Sequence, residues 1–315
     1  MNEPTQGQVD SDLQQSMDLF QRADVGVTQS VPLKKPGHVL LVLDGSTQDA
    51  AAVSLAIRMK AYLACELTWA FVPTADSSTL SSDHREALSE AAASEASTNV
   101  SKENDTANQI LQVVTESTAD ILIVPCPFGR DFEEIGEDST GTVIDLLAAR
   151  CQIPFITVRR PDIVDVDPTG HVRLILTGEN AAAELAASYA AGLVRPDGKL
   201  ELLLLVEVSF YQNFRQAMHA IDPTKTVTYE DLEHALARQY GRLHASLQHT
   251  ADEVGFEYEL LIRNEEDDTS VTPDDPISHP AVMVLGAERG DHDSLGEIRD
   301  FIRRCPHAVL VAATE

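Results

Sequence analysis

The chain has 315 residues, with 51 Asp and Glu against 23 Lys and Arg and a formal net charge of −28. That balance opposes binding to nucleic acid or to anionic membranes, because both need a basic surface. The length is enough for two domains of ordinary size, and 43% hydrophobic with 5% aromatic residues predicts cores of aliphatic strands under alanine-rich helices.

Residues 1–36 are polar and rich in Gln, Ser and Asp, which predicts a disordered tail. Within it Leu13, Met17 and Phe20 recur at helical spacing. A first domain is predicted over residues 37–160. Val39–Leu43 is an unbroken aliphatic run, as in a strand buried on both faces of a parallel sheet. Asp44, Gly45 and Ser46 make a turn, and Ser46 or Thr47 can cap the helix that follows. That helix places Ala52, Leu55, Ala56 and Met59 on one face. Leu67–Val72 reads as a second strand, and a helix is predicted from about Asp83 to Ala96. The third strand is expected to be short or missing, because residues 97–105 are polar. A helix over Ala107–Glu116, a strand over Asp120–Val124, an acidic loop over Cys126–Thr140, a helix over Val143–Arg150 and a strand over Phe155–Val158 complete the half.

Residues 161–169 are predicted to be a linker, and 170–315 a second domain that repeats the first. ADILIVPCPFGRD, from Ala119, is echoed by PAVMVLGAERGD, from Pro280, and LLAARCQIPFITV by FIRRCPHAVLV. The predicted order is strand Arg173–Leu176, helix Ala181–Val194, strand Leu200–Val208, helix Tyr229–Glu253, strand Phe256–Ile262, strand Val282–Leu285, helix Leu295–Arg304 and strand Ala308–Val311. An insertion, residues 209–228, carries Phe210, Tyr211 and Phe214 and is expected to be a lid or contact surface. The stretch 265–280 is acidic and proline-broken where the first half has a helix. Alternating strands and helices imply right-handed crossovers and an α/β, doubly wound parallel sheet in each half.

Cys65, Cys126, Cys151 and Cys305 lie in or beside apolar segments, with no Cys-x-x-Cys pair. They are expected to be buried, reduced thiols rather than zinc ligands. No segment is apolar long enough to span a bilayer, and the N-terminus lacks the pattern of a secretory signal. The expected compartment is the cytoplasm.

In sheets of this kind ligands bind beyond the carboxyl ends of the strands, where the strand order reverses. Asp44 ends the first strand, while Gly129 and Gly141-Thr142 follow the fourth. A carboxylate there can accept from an amine or a ribose hydroxyl. Glycines let backbone N–H groups approach phosphate oxygens, and Gly141-Thr142 opens a helix whose N-terminus favours anions. An Asp-Gly pair also serves as an ordinary strand-end turn, and these residues alone leave both readings open. His234, Arg238 and Arg242 share a helical face that reads as solvated, and Asp291-His292-Asp293 reads as surface rather than metal site.

The segment LVLDGSTQDAAAVSLAIRMKAYLACELTWAFV resembles the opening of the universal stress protein family, where a first strand ends in Asp-Gly-Ser. DILIVP and GTVIDLLAARCQIPFITV are similar to that family's fourth strand, phosphate loop, helix and last strand. The second half resembles the family more weakly, so the chain as a whole resembles a tandem universal stress protein. The resemblance implies two Rossmann-like domains of the adenine nucleotide alpha hydrolase type, each a mostly five-stranded parallel sheet flanked by helices. It implies pairing of the halves through Phe155–Val158 and Ala308–Val311. It also implies a stress-response or signalling protein that is no enzyme beyond slow ATP hydrolysis. ATP or another adenine nucleotide would sit in the first half, with Asp44 and Val72 at the adenine end and Gly129, Gly141 and Thr142 at the ribose and phosphates. Gly45, Ser46 and Arg130 would flank them.

The chain departs from that pattern in several places. Cys126 replaces the first glycine of the phosphate loop, and the interval from Gly129 to Gly141 is two residues too long. Asp131, Glu133, Glu134, Glu137 and Asp138 fall inside it. Each carboxylate about 4 Å from a polyphosphate costs about 1 kcal/mol in water and about 4 kcal/mol in a partly buried site. Arg130 alone does not offset them, whereas a bridging Mg ion would. In the second half Thr177-Gly178-Glu179 replaces Asp-Gly-Ser, the interval from Gly286 to Gly296 is short, and Glu297 stands where a hydroxyl is expected. No nucleotide is expected there. Two functions remain in view: a stress-type protein holding a nucleotide in its first half, or an interaction module without one. The second would meet an unidentified protein partner through the acidic loops and the 209–228 insertion.

Overall fold

The computed structural model describes residues 29–74, 79–96, 105–135, 139–161, 167–176, 181–206, 208–221, 228, 238–264, 282–289 and 291–314. The aliphatic runs form strands. In the first half these are β1 (His38–Leu43), β2 (Glu66–Phe71), β3 (Ser94–Glu95), β4 (Ile121–Pro125) and β5 (Phe155–Val158). They alternate with α1 (Asp49–Leu63), α2 (Ser82–Glu90), α3 (Thr106–Ser117), the single turn α4 (Phe132–Ile135) and α5 (Thr142–Arg150). The second half contains β6 (His171–Leu176), α6 (Ala181–Leu193), β7 (Lys199–Val206), α7 (Val208–Ile221), α8 (Gly241–Val254), β8 (Glu257–Asn264), β9 (Val282–Glu288), α9 (His292–Arg304) and β10 (Ala308–Thr314).

All ten strands join one sheet, in the order β3-β2-β1-β4-β5-β10-β9-β6-β7-β8. From either outer edge the order within a half is the same. Neighbours within each half are parallel. The two last strands meet antiparallel at the centre, with Thr157 opposite Val309, Ile156 opposite Leu310 and Phe155 opposite Val311. Alternation along the strands makes two cores. Leu41, Leu43, Val172 and Leu174 face one layer with α1 and α6, while Leu40, Val42, Met283 and Val309 face the other with α3, α5 and α9.

Several predicted bounds shift. α2 ends at Glu90 rather than near Ala96, with Ala92 left-handed at φ 49. The third strand is the two-residue β3, earlier than the polar stretch where it was sought. The acidic loop contains α4, and the 209–228 insertion is helical through Ile221. Residues 1–28, with Leu13, Met17 and Phe20, lie outside the described residues, as do 177–180, 229–237 and 265–281.

Residues 29–36, which composition placed in the tail, run over the helices of the second half. Val31 is buried and its N–H donates to Thr250 Oγ1 at 2.8 Å. Lys34 N–H donates to the Ser188 carbonyl at 3.0 Å, and its ammonium lies 5.5 Å from the centre of the Tyr189 ring. Ser30 Oγ donates to Glu253. Gly37 and His38 amides then both donate to Asp120 Oδ2 as the chain enters β1.

Candidate functional site

β1 and β4 are neighbours, so their carboxyl ends lie side by side at the point where the strand order turns from β1-β2 to β4-β5. Asp44, directly after β1, is fully buried. One of its oxygens accepts the Ser46 amide at 2.8 Å, and the other accepts the Gly129 amide. Thus Asp44 and Gly129, paired from sequence as parts of one site, are in direct contact. Gly45 and Gly129 are left-handed, at φ 86 and 82. A Cβ at Gly129 would stand 3.0 Å from Thr74 Cγ2, so glycine is required by both backbone and space. Val72 is buried, and its amide continues the β1–β2 pairing by donating to Leu43. Arg130 is exposed, and its carbonyl rather than its guanidinium turns inward, accepting from Gln48 Nε2 at 2.9 Å. Gly141 is the N-cap of α5 at φ 84, and the exposed Thr142 is the first residue of that helix.

Four further residues complete the cluster. Asp49, first residue of α1, accepts the Asp44 and Gly45 amides at 3.3 and 2.8 Å. Gln48 Oε1 accepts the Phe132 amide at 3.2 Å while its Nε2 also reaches the Pro127 carbonyl at 3.3 Å. Asp131 accepts the Thr47 amide at 2.8 Å, so a carboxylate sits at the N-terminus of α1, where the helix dipole favours it. Arg159, after β5, is 2% exposed. It donates to the Ser139 carbonyl at 3.0 Å and to Cys126 Sγ at 3.5 Å, and its guanidinium lies 5.3 Å from the centre of the Phe132 ring.

The electrostatics are those of buried acids. Burial pushes the Asp49 carboxyl up to about 8, and the neighbouring Asp44 adds to the effect. Burial raises Asp44 too, against the stabilising amides of Gly129 and Ser46. The Cys126 thiol is pushed up to about 11 by burial and is a poor nucleophile at neutral pH. All four cysteines are free and buried.

A phosphate group would need backbone donors at this edge. Those of Gly129, Ser46, Thr47 and Gly141 already have acceptors in Asp44 for the first two, Asp131 and Ser139 Oγ. In this arrangement these four do not fit a nucleotide phosphate until the chain's own oxygens are displaced.

In the second half the sequence reading of the loop is corrected. Gly286 lies within β9, and a Cβ there would stand 2.5 Å from the Ala182 carbonyl oxygen, so it is a packing glycine against α6. Gly296 and Glu297 lie inside α9, which starts at His292, so Glu297 is not at a helix N-terminus. Thr177, Gly178 and Glu179 lie outside the described residues, as does His234; Arg238 and Arg242 are exposed. Among the described residues no group of three His, Cys, Asp or Glu side chains is placed to hold a metal. Among the described residues no helix is long and apolar enough to cross a membrane.

No protein-family model matches the sequence, and no curated protein shows significant similarity to it. Solved structures do. A universal stress protein from Archaeoglobus fulgidus is 12% identical, with a TM-score of 0.51 over 90% of this chain and 98% of its own. A Pseudomonas aeruginosa protein of unknown function is 13% identical, with a TM-score of 0.53 over 88% of this chain and 92% of its own. Another from that species, provisionally named a universal stress protein, is 12% identical with a TM-score of 0.54 over 88% of this chain and 93% of its own. At this identity the likeness is one of architecture: the chain has the fold found in a universal stress protein.

Proposed function

We propose that this chain is a tandem universal stress-type protein, acting in a stress response through contacts with a protein partner rather than through catalysis. In this reading its first-half crevice is held shut by its own carboxylates. The observation that carries the reading is the contact of Asp44 with the Gly129 amide, reinforced by Asp131 on Thr47. Oxygens of the chain stand where an anionic ligand would be received, and among the described residues nearby no pair of groups is arranged as nucleophile and base. The second-half departures at Gly286 and Glu297 extend the same argument.

A second reading, an adenine nucleotide held in the first half, is favoured by the left-handed Gly129 and Gly141 at the edge where such ligands bind. It requires the segment after β4 to lift and Asp131 to leave α1. Both readings meet one experiment. The purified full chain is denatured and its released small molecules identified, and the native chain is melted with and without ATP and Mg-ATP. No released nucleotide and an unmoved melting temperature support the first reading. Released nucleotide, or a shift that disappears in Asp44→Ala, supports the second and removes the first.

A further inference from the structure

We propose that Asp44 and Asp49 form a one-proton latch that fastens the segment Cys126–Ile135 over the carboxyl end of β1 and loosens as the pH rises. The inference stands whether or not the crevice receives a ligand.

The geometry sets up the latch. Both side chains are 0% exposed, and both are fastened to the backbone of one turn, Asp49 through the Asp44 and Gly45 amides and Asp44 through the Ser46 amide. Asp49 grips the turn through the amides of Asp44 and Gly45, and Asp44 reaches across to the amide of Gly129. Two fully buried carboxyls on one turn, one of them bonded to the other residue's own amide, cannot both be ionised at acceptable cost.

Among the described residues, the charged groups packed around the pair do not neutralise it. On the segment above, Asp131 is itself an acid and bonded to Thr47, while the Arg130 side chain is exposed. At the end of β5, Arg159 directs Nη1 to Ser139 and Cys126, and Arg160 lies against Phe132, 5.7 Å from its ring centre. On α5, Asp145 accepts from Thr140. Val72 and Thr74, at the end of β2, are uncharged, and Cys126 keeps its proton.

When the segment lifts, both carboxyls reach water and hold protons with ordinary affinity, near pH 4. The closed form therefore carries one proton more than the open form from about pH 4 to the raised value of Asp49, about 8. Opening becomes about tenfold more favourable for each pH unit in that window and levels off above it.

The Gly129 amide is the reporter, since its acceptor is Asp44. Amide hydrogen exchange of the full chain, corrected for intrinsic rates, is followed from about pH 6 to about pH 8, with the β4 amide of Ile123 as internal reference. Protection of Gly129 relative to Ile123 is expected to fall about 50-fold in the wild type. In Asp49→Asn, which is neutral throughout, it is expected to stay flat. A flat wild-type profile overturns the proposal. So does an equal slope in Asp49→Asn with Ile123 still protected. If that variant loses Ile123 protection it has unfolded, and the wild-type slope decides alone.

Discussion

The backbone of Lys34 lies against Gly192 so closely that a Cβ on that glycine would stand 2.2 Å from the Lys34 carbonyl oxygen. The residues preceding β1 of the first half are thereby seated on α6 of the second half. Gly192→Ala is expected to lift this segment from its seat, losing the Val31 and Lys34 backbone hydrogen bonds and the burial of Val31. The expected cost is about 2–3 kcal/mol, as for overpacking against atoms that cannot move aside singly. Urea unfolding measures it. Gly241→Ala is the control: nothing lies within 4 Å of its Cβ position, and it is expected to be neutral or slightly stabilising. Equal behaviour of the two variants would show that the segment is not seated on Gly192.

A second prediction concerns Asp131, whose carboxylate accepts the Thr47 amide at the start of α1. Asp131→Ala leaves the Thr47 amide without this acceptor and is expected to cost about 1 kcal/mol. The neighbouring Arg130 should then be cut faster by trypsin, because its carbonyl is held by Gln48 within the same cluster. Glu133→Ala, at an exposed position of α4, is expected to leave cleavage unchanged.

Much of the scaffold was legible because β1, β4, β5, β9 and β10 are nearly continuous aliphatic runs, and such a run has few other places to go than a sheet covered on both faces. Val39–Leu43 and Phe155–Val158 are read almost to the residue. Asp44 and Gly129 could be assigned to one edge because strand order alone brings their ends together. Their partners could not. Gln48 faces the segment after β4 only because α1 starts in a given rotation, and Asp131 caps α1 from a turn 84 residues away. Arg159, between the last predicted strand and the linker, was assigned no place, and its burial depends on the path of Ser139 and Phe132 above it. The second-half loop was misread for the opposite reason: a glycine inside a strand was taken as a loop residue, while its function is to let Ala182 approach.

Glu201 on β7 meets the Arg173 guanidinium at 2.7 Å, the Lys199 ammonium at 2.8 Å and the His171 ring at 3.0 Å. Burial alone would raise its carboxyl, but these three neighbours more than offset that and hold it well below the usual carboxylate range. Glu201→Gln leaves the cations without their shared counter-charge, and the expected cost at neutral pH is about 3 kcal/mol. The carboxyl is depressed, so its contribution is present above about pH 4.5 and lost as the pH falls below that. The gap between variant and wild type in urea unfolding should therefore narrow below about pH 4.5. A gap that stays constant would mean that the cost is one of packing.

His307, just before β10, tests the opposite sign. Neither ring nitrogen has a hydrogen-bond partner among the described residues. Burial, then the charges of Arg173 and His171, push its pKa down to about 4. The folded chain thus holds His307 neutral while the unfolded chain protonates it below about 6.5. Stability from this group is full above that value and is lost as the pH falls toward 4, at about 1.4 kcal/mol per unit. Asp49 works the other way over the same range, because its folded form binds a proton that the unfolded form releases. Its contribution grows as the pH falls from about 8 toward 4. In the wild type the two slopes oppose each other below about 6.5, and Asp49 acts alone above it. His307→Phe keeps a ring in the site and removes one of the two slopes. Urea unfolding near pH 7.5, 6.5 and 5 should then give variant and wild-type curves that run parallel above about 6.5 and diverge below it, with the variant gaining. Parallel curves down to about pH 5 would mean that His307 is protonated in the folded chain.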